Sequence, residues 1–176
     1  MAKNKKAEKK IKLCIVDCDG VLTSGEYQVS NNGVIIKTFQ TRDFYALEQL
    51  QKRGIEVWIV TQSDDRCINV KVDSLPPEVR QKLQVFSGIQ NKFETIEKNL
   101  KNMGWTWENV AYIGDADNDV ECMGKAKFIG CPSDALFHVR ELVEGRDSSE
   151  SRISDIVGGK GCVYDLVFHL IGLGLV

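Results

Sequence analysis

The chain has 176 residues, 43% hydrophobic and 27% charged, with a formal net charge of -2. This is enough apolar material for one globular core, and too little clustered positive charge to neutralise a nucleic-acid backbone. No window approaches the ~18 apolar residues of a membrane span, so neither a nucleic-acid nor a membrane partner is expected.

Residues 1–10 belong to the lysine-rich "MAKNKKAEKKIK", which lacks the apolar stretch of a signal peptide and reads as a solvated basic tail. Residues 11–176 read as a single domain. "KLCIVD" (12–17) is a continuous apolar run, the pattern of a strand covered on both faces. "GEYQVSNNGVIIKTF" follows, with two β-rich runs around Asn31-Asn32-Gly33 that predict a hairpin. Helical spacing comes next in "DFYALEQLQKRG", where Phe44, Leu47 and Leu50 line one face. "IEVWIVT" (55–61) and "QVFSG" (84–88) predict further strands, and the intervening "DSLPPEVRQK" a surface loop. "KFETIEKNLKNMG" predicts a helix through Phe93, Ile96, Leu100 and Met103 that ends at Gly104. "NVAYIGD" (109–115) and "KFIGCP" (127–132) complete the strand series, and "EGRDSSESR" reads as a loop. Strands alternating with helices predict an α/β fold, a doubly wound parallel sheet with helices on both faces and a hairpin inserted after the first strand.

Cysteines 14, 18, 67, 122, 131 and 162 form no CxxC pair, two of them sit inside apolar runs, and they read as free thiols in a reducing cytoplasm. His138 and His169 are the only histidines and lack ligand spacing, which leaves chemistry to carboxylates, hydroxyls and lysines. In a parallel sheet, ligands bind where strands end. The first strand ends in Asp17 and Asp19, the next in Thr61, the turn after "QVFSG" leads to Lys92, and "YIGD" delivers Asp115 with Asp117 and Asp119 behind it. Such a density of like charge requires a hard divalent cation, and oxygen donors beside a substrate phosphate suit Mg²⁺. Lys92 in the first turn of a helix opposes the macrodipole, a cost that a bound phosphoryl group would reverse.

In these segments the sequence resembles the haloacid dehalogenase (HAD) superfamily of phosphotransferases: "DCDGVLT", Thr61, Lys92 and "GDADND" are similar to its four motifs. "DGVLTSGEYQVSNNGVIIKTFQTRDFYAL" and "VGGKGCVYDL" resemble its capless branch of sugar-acid phosphatases, and the similarity spans roughly residues 11–170. The resemblance implies a fold without a cap domain and a substrate such as 3-deoxy-manno-octulosonate (KDO) 8-phosphate, or a nine-carbon keto sugar acid 9-phosphate such as that of an N-acylneuraminate. It implies Asp17 as nucleophile and Asp19 as acid and base, with Lys92 and Thr61 holding the phosphoryl oxygens. Mg²⁺ is implied on the Asp17 carboxylate, the Asp19 carbonyl and Asp115, with Asn118 and Asp119 behind them. Arg42, Asp43, Gln62, Arg66 and Lys160 are implied as substrate-side groups. It also implies a homotetramer in which a neighbour's tail, with Lys160, closes the site. Motif two, usually TGR, here reads Thr61-Gln62-Ser63, and Arg66 is the candidate to replace the absent arginine. Two other readings stand beside the enzyme. One is a noncatalytic oligomerising domain like that of animal sialic-acid cytidylyltransferases, against which the retained acids argue. The other is a phosphoacceptor signalling domain, against which the position of the acids on the first strand argues.

Overall fold

A computed structural model describes residues 11–33 and 35–176; the predicted tail, residues 1–10, lies outside the described residues. The chain opens with β1 (Leu13–Val16), a bend over Cys18–Leu22 and an antiparallel hairpin of β2 (Gln28–Val29) and β3 (Ile35–Ile36). Helix α1 (Thr41–Lys52), β4 (Glu56–Val60), α2 (Cys67–Asp73), the short α3 (Pro77–Arg80) and β5 (Leu83–Phe86) follow. The second half runs α4 (Lys92–Met103), β6 (Val110–Ile113), α5 (Asp117–Lys125), β7 (Phe128–Cys131), α6 (Phe137–Glu144), β8 (Ser151–Ile153) and α7 (Cys162–Gly172). Six strands form one parallel sheet in the order β5-β4-β1-β6-β7-β8. The chain leaves β1 toward β4 and later returns to its other side with β6, so strand order reverses at β1, where α/β sheets place their ligands.

Side chains alternate across the sheet and divide the apolar runs between two cores. Cys14, Val16, Val57 and Ile59 face Phe44, Leu47 and Leu50 of α1 and Val163, Leu166 and Leu170 of α7. Leu13, Ile15, Trp58 and Tyr112 face Ile96 and Leu100 of α4, Met123 of α5 and Val139 of α6. Truncating one of these buried side chains to alanine costs about 2–5 kcal/mol, because the cavity only partly collapses. The strand ends are level: Val16 pairs with Ile59 on one side and Ile113 on the other. Asp17, Thr61 and Asp115 therefore emerge within two residues of a common line.

Two predicted loops contain short regular elements. "DSLPPEVRQK" includes α3, a single turn that begins on Pro77, whose missing N–H costs nothing at a helix start. "EGRDSSESR" runs into β8, which pairs with β7 alone and at three residues is too short for a periodic signal. The residues after β8 return to the start of the chain. Gly159 N–H donates to Val21 O at 2.9 Å, and the Cys162 thiol reaches the same carbonyl at 3.3 Å. A Cβ on Gly158 would overlap the Gly20 carbonyl, and one on Gly159 would lie 2.5 Å from Ser24 N. The two glycines let this turn lie directly on the bend that follows Asp17.

Candidate active site

Asp17 is buried at the end of β1, where its N–H donates to Ile113 O at 2.9 Å. The bend then turns at Gly20, whose φ of 90° lies in the left-handed region, and a Cβ there would overlap the Asp115 carboxylate. Glycine serves both needs: it adopts the turn and leaves room for Asp115. Asp115 is fixed from behind by its carbonyl, which accepts from Leu136 N–H at 2.9 Å.

Lys92 begins α4, which Asn91 caps by accepting from Glu94 N–H at 3.0 Å. Its side chain is fully buried, and Nζ lies 2.7 Å from Asp17 Oδ1 and 2.8 Å from Asp119 Oδ1. Asp119 also accepts from Tyr112 OH at 2.7 Å and from the N–H groups of Asp115 (3.1 Å) and Ala116 (3.3 Å). With four donors it holds Lys92 and the Asp115 turn in place. One carboxylate oxygen from each of Asp17, Asp115 and Asp119 lies within 4.8 Å of the others. Burial, reinforced by Asp119, pushes the Asp17 carboxyl well above the usual range, and the same two causes push Asp115 to about 7. Burial opposes charge on Lys92, yet Asp17 and Asp119 hold its ammonium above its ordinary value. With all three carboxyls ionised, one ammonium leaves about two negative charges uncompensated, and Asp115 Oδ1 is buried without a hydrogen-bond partner. A divalent cation with oxygen preference fits this donor set.

Asp19 is held at both oxygens: Oδ1 accepts from Thr23 Oγ1 at 3.1 Å, and Oδ2 lies 2.8 Å from Lys37 Nζ. Thr61 is buried, and its hydroxyl oxygen accepts from Ser63 N–H at 3.1 Å. Asp17, Asp19, Thr61, Gln62, Ser63, Ala116 and Asn118 line a cavity of about 300 Å³. Along its rim Asn118 Nδ2 donates to Gln62 Oε1 at 3.2 Å, and Gln62 Nε2 donates to Gln90 Oε1 at 3.1 Å.

The remaining expected groups lie apart from this cavity. Arg66 is exposed and lines a neighbouring cleft between the hairpin and α2, and Lys160 is exposed on the glycine turn. Arg42 is exposed with its aliphatic stem against Gly161. Asp43 is fully buried, and its Oδ1 accepts from Tyr164 N–H at 2.8 Å. It thereby caps α7 from another helix, since Gly161 at the N-cap position has no side chain to do so. Burial pushes its carboxyl to about 6 despite the hydrogen bond from Tyr164 and the charge of Arg42. Lys37 and Asp65 are absent from the sequence-based reading. Lys37 Nζ reaches Asp65 Oδ2 at 2.5 Å as well as Asp19, with 4% of its side chain exposed. A lysine directly after the apolar Ile35-Ile36 pair is the one local hint of such a role.

Comparison with known proteins identifies the family. No family model matches the chain. It is 32% identical over 161 residues to 3-deoxy-D-manno-octulosonate 8-phosphate phosphatase KdsC of Escherichia coli strain K12, a match covering 89% of this chain and 77% of that enzyme. The chain belongs to the HAD superfamily, in the KdsC phosphatase family. Among solved structures, a HAD subfamily IIIA hydrolase from Legionella pneumophila superposes with TM-score 0.82 at 25% identity, over 94% of this chain and 84% of that one. The cobalt-bound deoxy-D-mannose-octulosonate 8-phosphate phosphatase of Haemophilus influenzae superposes with TM-score 0.79 at 26% identity, over 94% and 91%. As a KdsC-family member the chain is a phosphomonoester hydrolase with a capless HAD core.

Proposed function

We propose that the protein hydrolyses the phosphomonoester of a keto-deoxy sugar acid, of the KDO 8-phosphate type, in a Mg²⁺-dependent reaction through an aspartyl-phosphate on Asp17. The observation that carries this reading is the convergence of Asp17, Asp115 and Asp119 with buried Lys92 beside the cavity that Asp19 and Thr61 line. Membership of the KdsC family supports the substrate class.

Asp17 supplies the oxygen that attacks phosphorus, forming one P–O bond as the bond to the sugar oxygen breaks. Asp19 gives its proton to that leaving oxygen, then takes a proton from the water that attacks the aspartyl-phosphate and releases inorganic phosphate. Lys92 lies buried behind Asp17, which lines the cavity with Thr61, so an ammonium and a hydroxyl flank the phosphoryl oxygens as charge redistributes. Asp17, Asp115 and the Asp19 carbonyl would hold Mg²⁺, with Asp119 and Asn118 behind them. The bound cation neutralises the carboxylates and draws charge from the phosphoryl group. Gln62 offers its amide to the sugar at the rim. We also propose a cytoplasmic homotetramer, which the exposed Val29, Ile35 and Ile36 of the hairpin support.

The test measures phosphate release from a panel of sugar phosphates, with Mg²⁺ and after chelation, for the wild type and Asp17→Asn. Preference for a keto sugar acid, dependence on the metal and loss of turnover in the variant are expected. Equal rates on all simple phosphomonoesters would refute the substrate class, and turnover by Asp17→Asn would refute the nucleophile. Light scattering reads the tetramer directly; a monomer at micromolar concentration contradicts it.

A further inference from the structure

The hairpin carries one side chain that behaves unlike its neighbours. Gln28, Val29, Ile35 and Ile36, the paired residues of its two strands, are all exposed. Lys37 follows immediately, and only 4% of its side chain is exposed. Its Nζ lies 2.8 Å from Asp19 Oδ2, 2.5 Å from Asp65 Oδ2 and 3.4 Å from Ser63 Oγ. Asp65 is itself anchored: Oδ1 accepts from Cys67 N–H at 2.9 Å, and Oδ2 takes the Ser63 hydroxyl. The ammonium is thus fixed from the α2 side and presented to Asp19, whose other oxygen is already held by Thr23 at 3.1 Å. A carboxyl on a bend next to a glycine has rotamer freedom that these two contacts remove.

We propose that Lys37 is a positioning residue for leaving-group departure: tethered by Asp65, its ammonium aims the Asp19 carboxyl at the oxygen that leaves phosphorus. The inference rests on the reading that Asp19 handles the leaving-group proton. In that step the Asp17 oxygen bonds to phosphorus as the P–O bond to the sugar breaks, the electron pair stays on the sugar oxygen, and a proton that Asp19 has first taken from water onto Oδ1, where the Thr23 hydroxyl can accept as well as donate, passes to that oxygen. The ammonium of Lys37 then faces the negative charge left on Asp19, an arrangement organised before the reaction starts. The hairpin becomes part of the machinery through this one side chain.

The consequence depends on the leaving group. A sugar alkoxide is a poor leaving group and needs the proton, whereas p-nitrophenolate leaves without one. The experiment compares kcat/KM, which reports steps through leaving-group departure, for KDO 8-phosphate and p-nitrophenyl phosphate, in wild type, Lys37→Met and Lys37→Arg. Lys37→Met is expected to lose on the order of 10²-fold on the sugar phosphate and less than about a tenth of that on the aryl phosphate. Lys37→Arg, which keeps the charge, should recover most of the loss. Asp65→Asn provides a check independent of Lys37 itself. It keeps the Cys67 contact through its amide oxygen and should show a smaller loss confined to the same substrate. Equal losses on both substrates, or none, with wild-type turnover intact, would overturn the positioning role alone. Wild-type enzyme inactive on both substrates with Mg²⁺ would overturn the phosphatase reading and this inference with it.

Discussion

Asp43 provides a stability experiment whose sign and size follow from its surroundings. Its carboxyl is fully buried between α1 and α7 with Oδ2 unpartnered, and burial moves it from an ordinary 3.8 to about 6. The folded protein therefore holds this proton more tightly than the unfolded chain does. The group's contribution to stability is fully present below pH ~4 and declines as pH rises toward ~6, because the native state must carry a buried charge that water would solvate. At about 1.4 kcal/mol for each tenfold change in proton affinity, the decline is about 3 kcal/mol. Asp43→Asn removes the titration while keeping an oxygen to accept from Tyr164 N–H. Chemical denaturation of wild type and variant across pH 4 to 7.5, taken as a difference at each pH, isolates Asp43 from other carboxylates. The variant's stability relative to wild type is expected to climb by about 3 kcal/mol between pH ~4 and ~6.5 and then level off. A flat difference, or one that falls, would refute the assignment of Asp43 as a buried cap charged at a cost. The same variant's kinetics decide whether Asp43 also serves the substrate, since as a cap alone it leaves kcat/KM unchanged.

Three further outcomes follow from the site. Lys92→Met strands Asp17 and Asp119 without their buried counter-charge and is expected to lower the free energy of unfolding by about 3–5 kcal/mol, measured by denaturant titration at pH 7; a loss below ~1 kcal/mol would mean that the pair is not buried as described. Mg²⁺ at a hundred times its dissociation constant should stabilise the native state by about 2.7 kcal/mol, read as a rise in Tm that Asp115→Asn reduces and Glu97→Gln on the exposed face of α4 does not; equal rises in both variants would remove Asp115 from the metal site. Gly20→Ala is expected to abolish turnover, because the methyl group meets the Asp115 carboxylate and the backbone loses its left-handed turn; near-wild-type kcat would refute the packing of the bend on Asp115.

The sequence made the strand-end acids legible because each terminates an apolar run: Asp17 after "KLCIV" and Asp115 after "VAYIG" each stop a buried strand with a charge. Lys92 was legible for a similar reason, being a cation where a helix start disfavours one. What remained hidden depends on pairs distant in the chain. Lys37 meets Asp65 across 28 positions and Asp43 meets Tyr164 across 121, and neither local periodicity nor charge pattern encodes such a contact. Asp43 was visible only through resemblance, which carries a residue's identity but not its contacts. β8 was hidden because a three-residue edge strand has no repeat to detect.

The glycine turn at residues 158–161 bears on how the protein becomes active during its synthesis. Every group that would touch the phosphoryl centre, from Asp17 to Asp115, has been translated before Gly158 leaves the ribosome. Yet the loop beyond the nucleophile rests on the Gly158-Gly159 backbone, and α7 shares with α1 the covering of one side of the sheet. A nascent chain that stops short of this segment would carry the full catalytic set on an unsupported loop beside an apolar face that α1 covers only in part. Activity should therefore appear only after the Gly158-Gly159 turn and α7 have docked against the bend and the sheet.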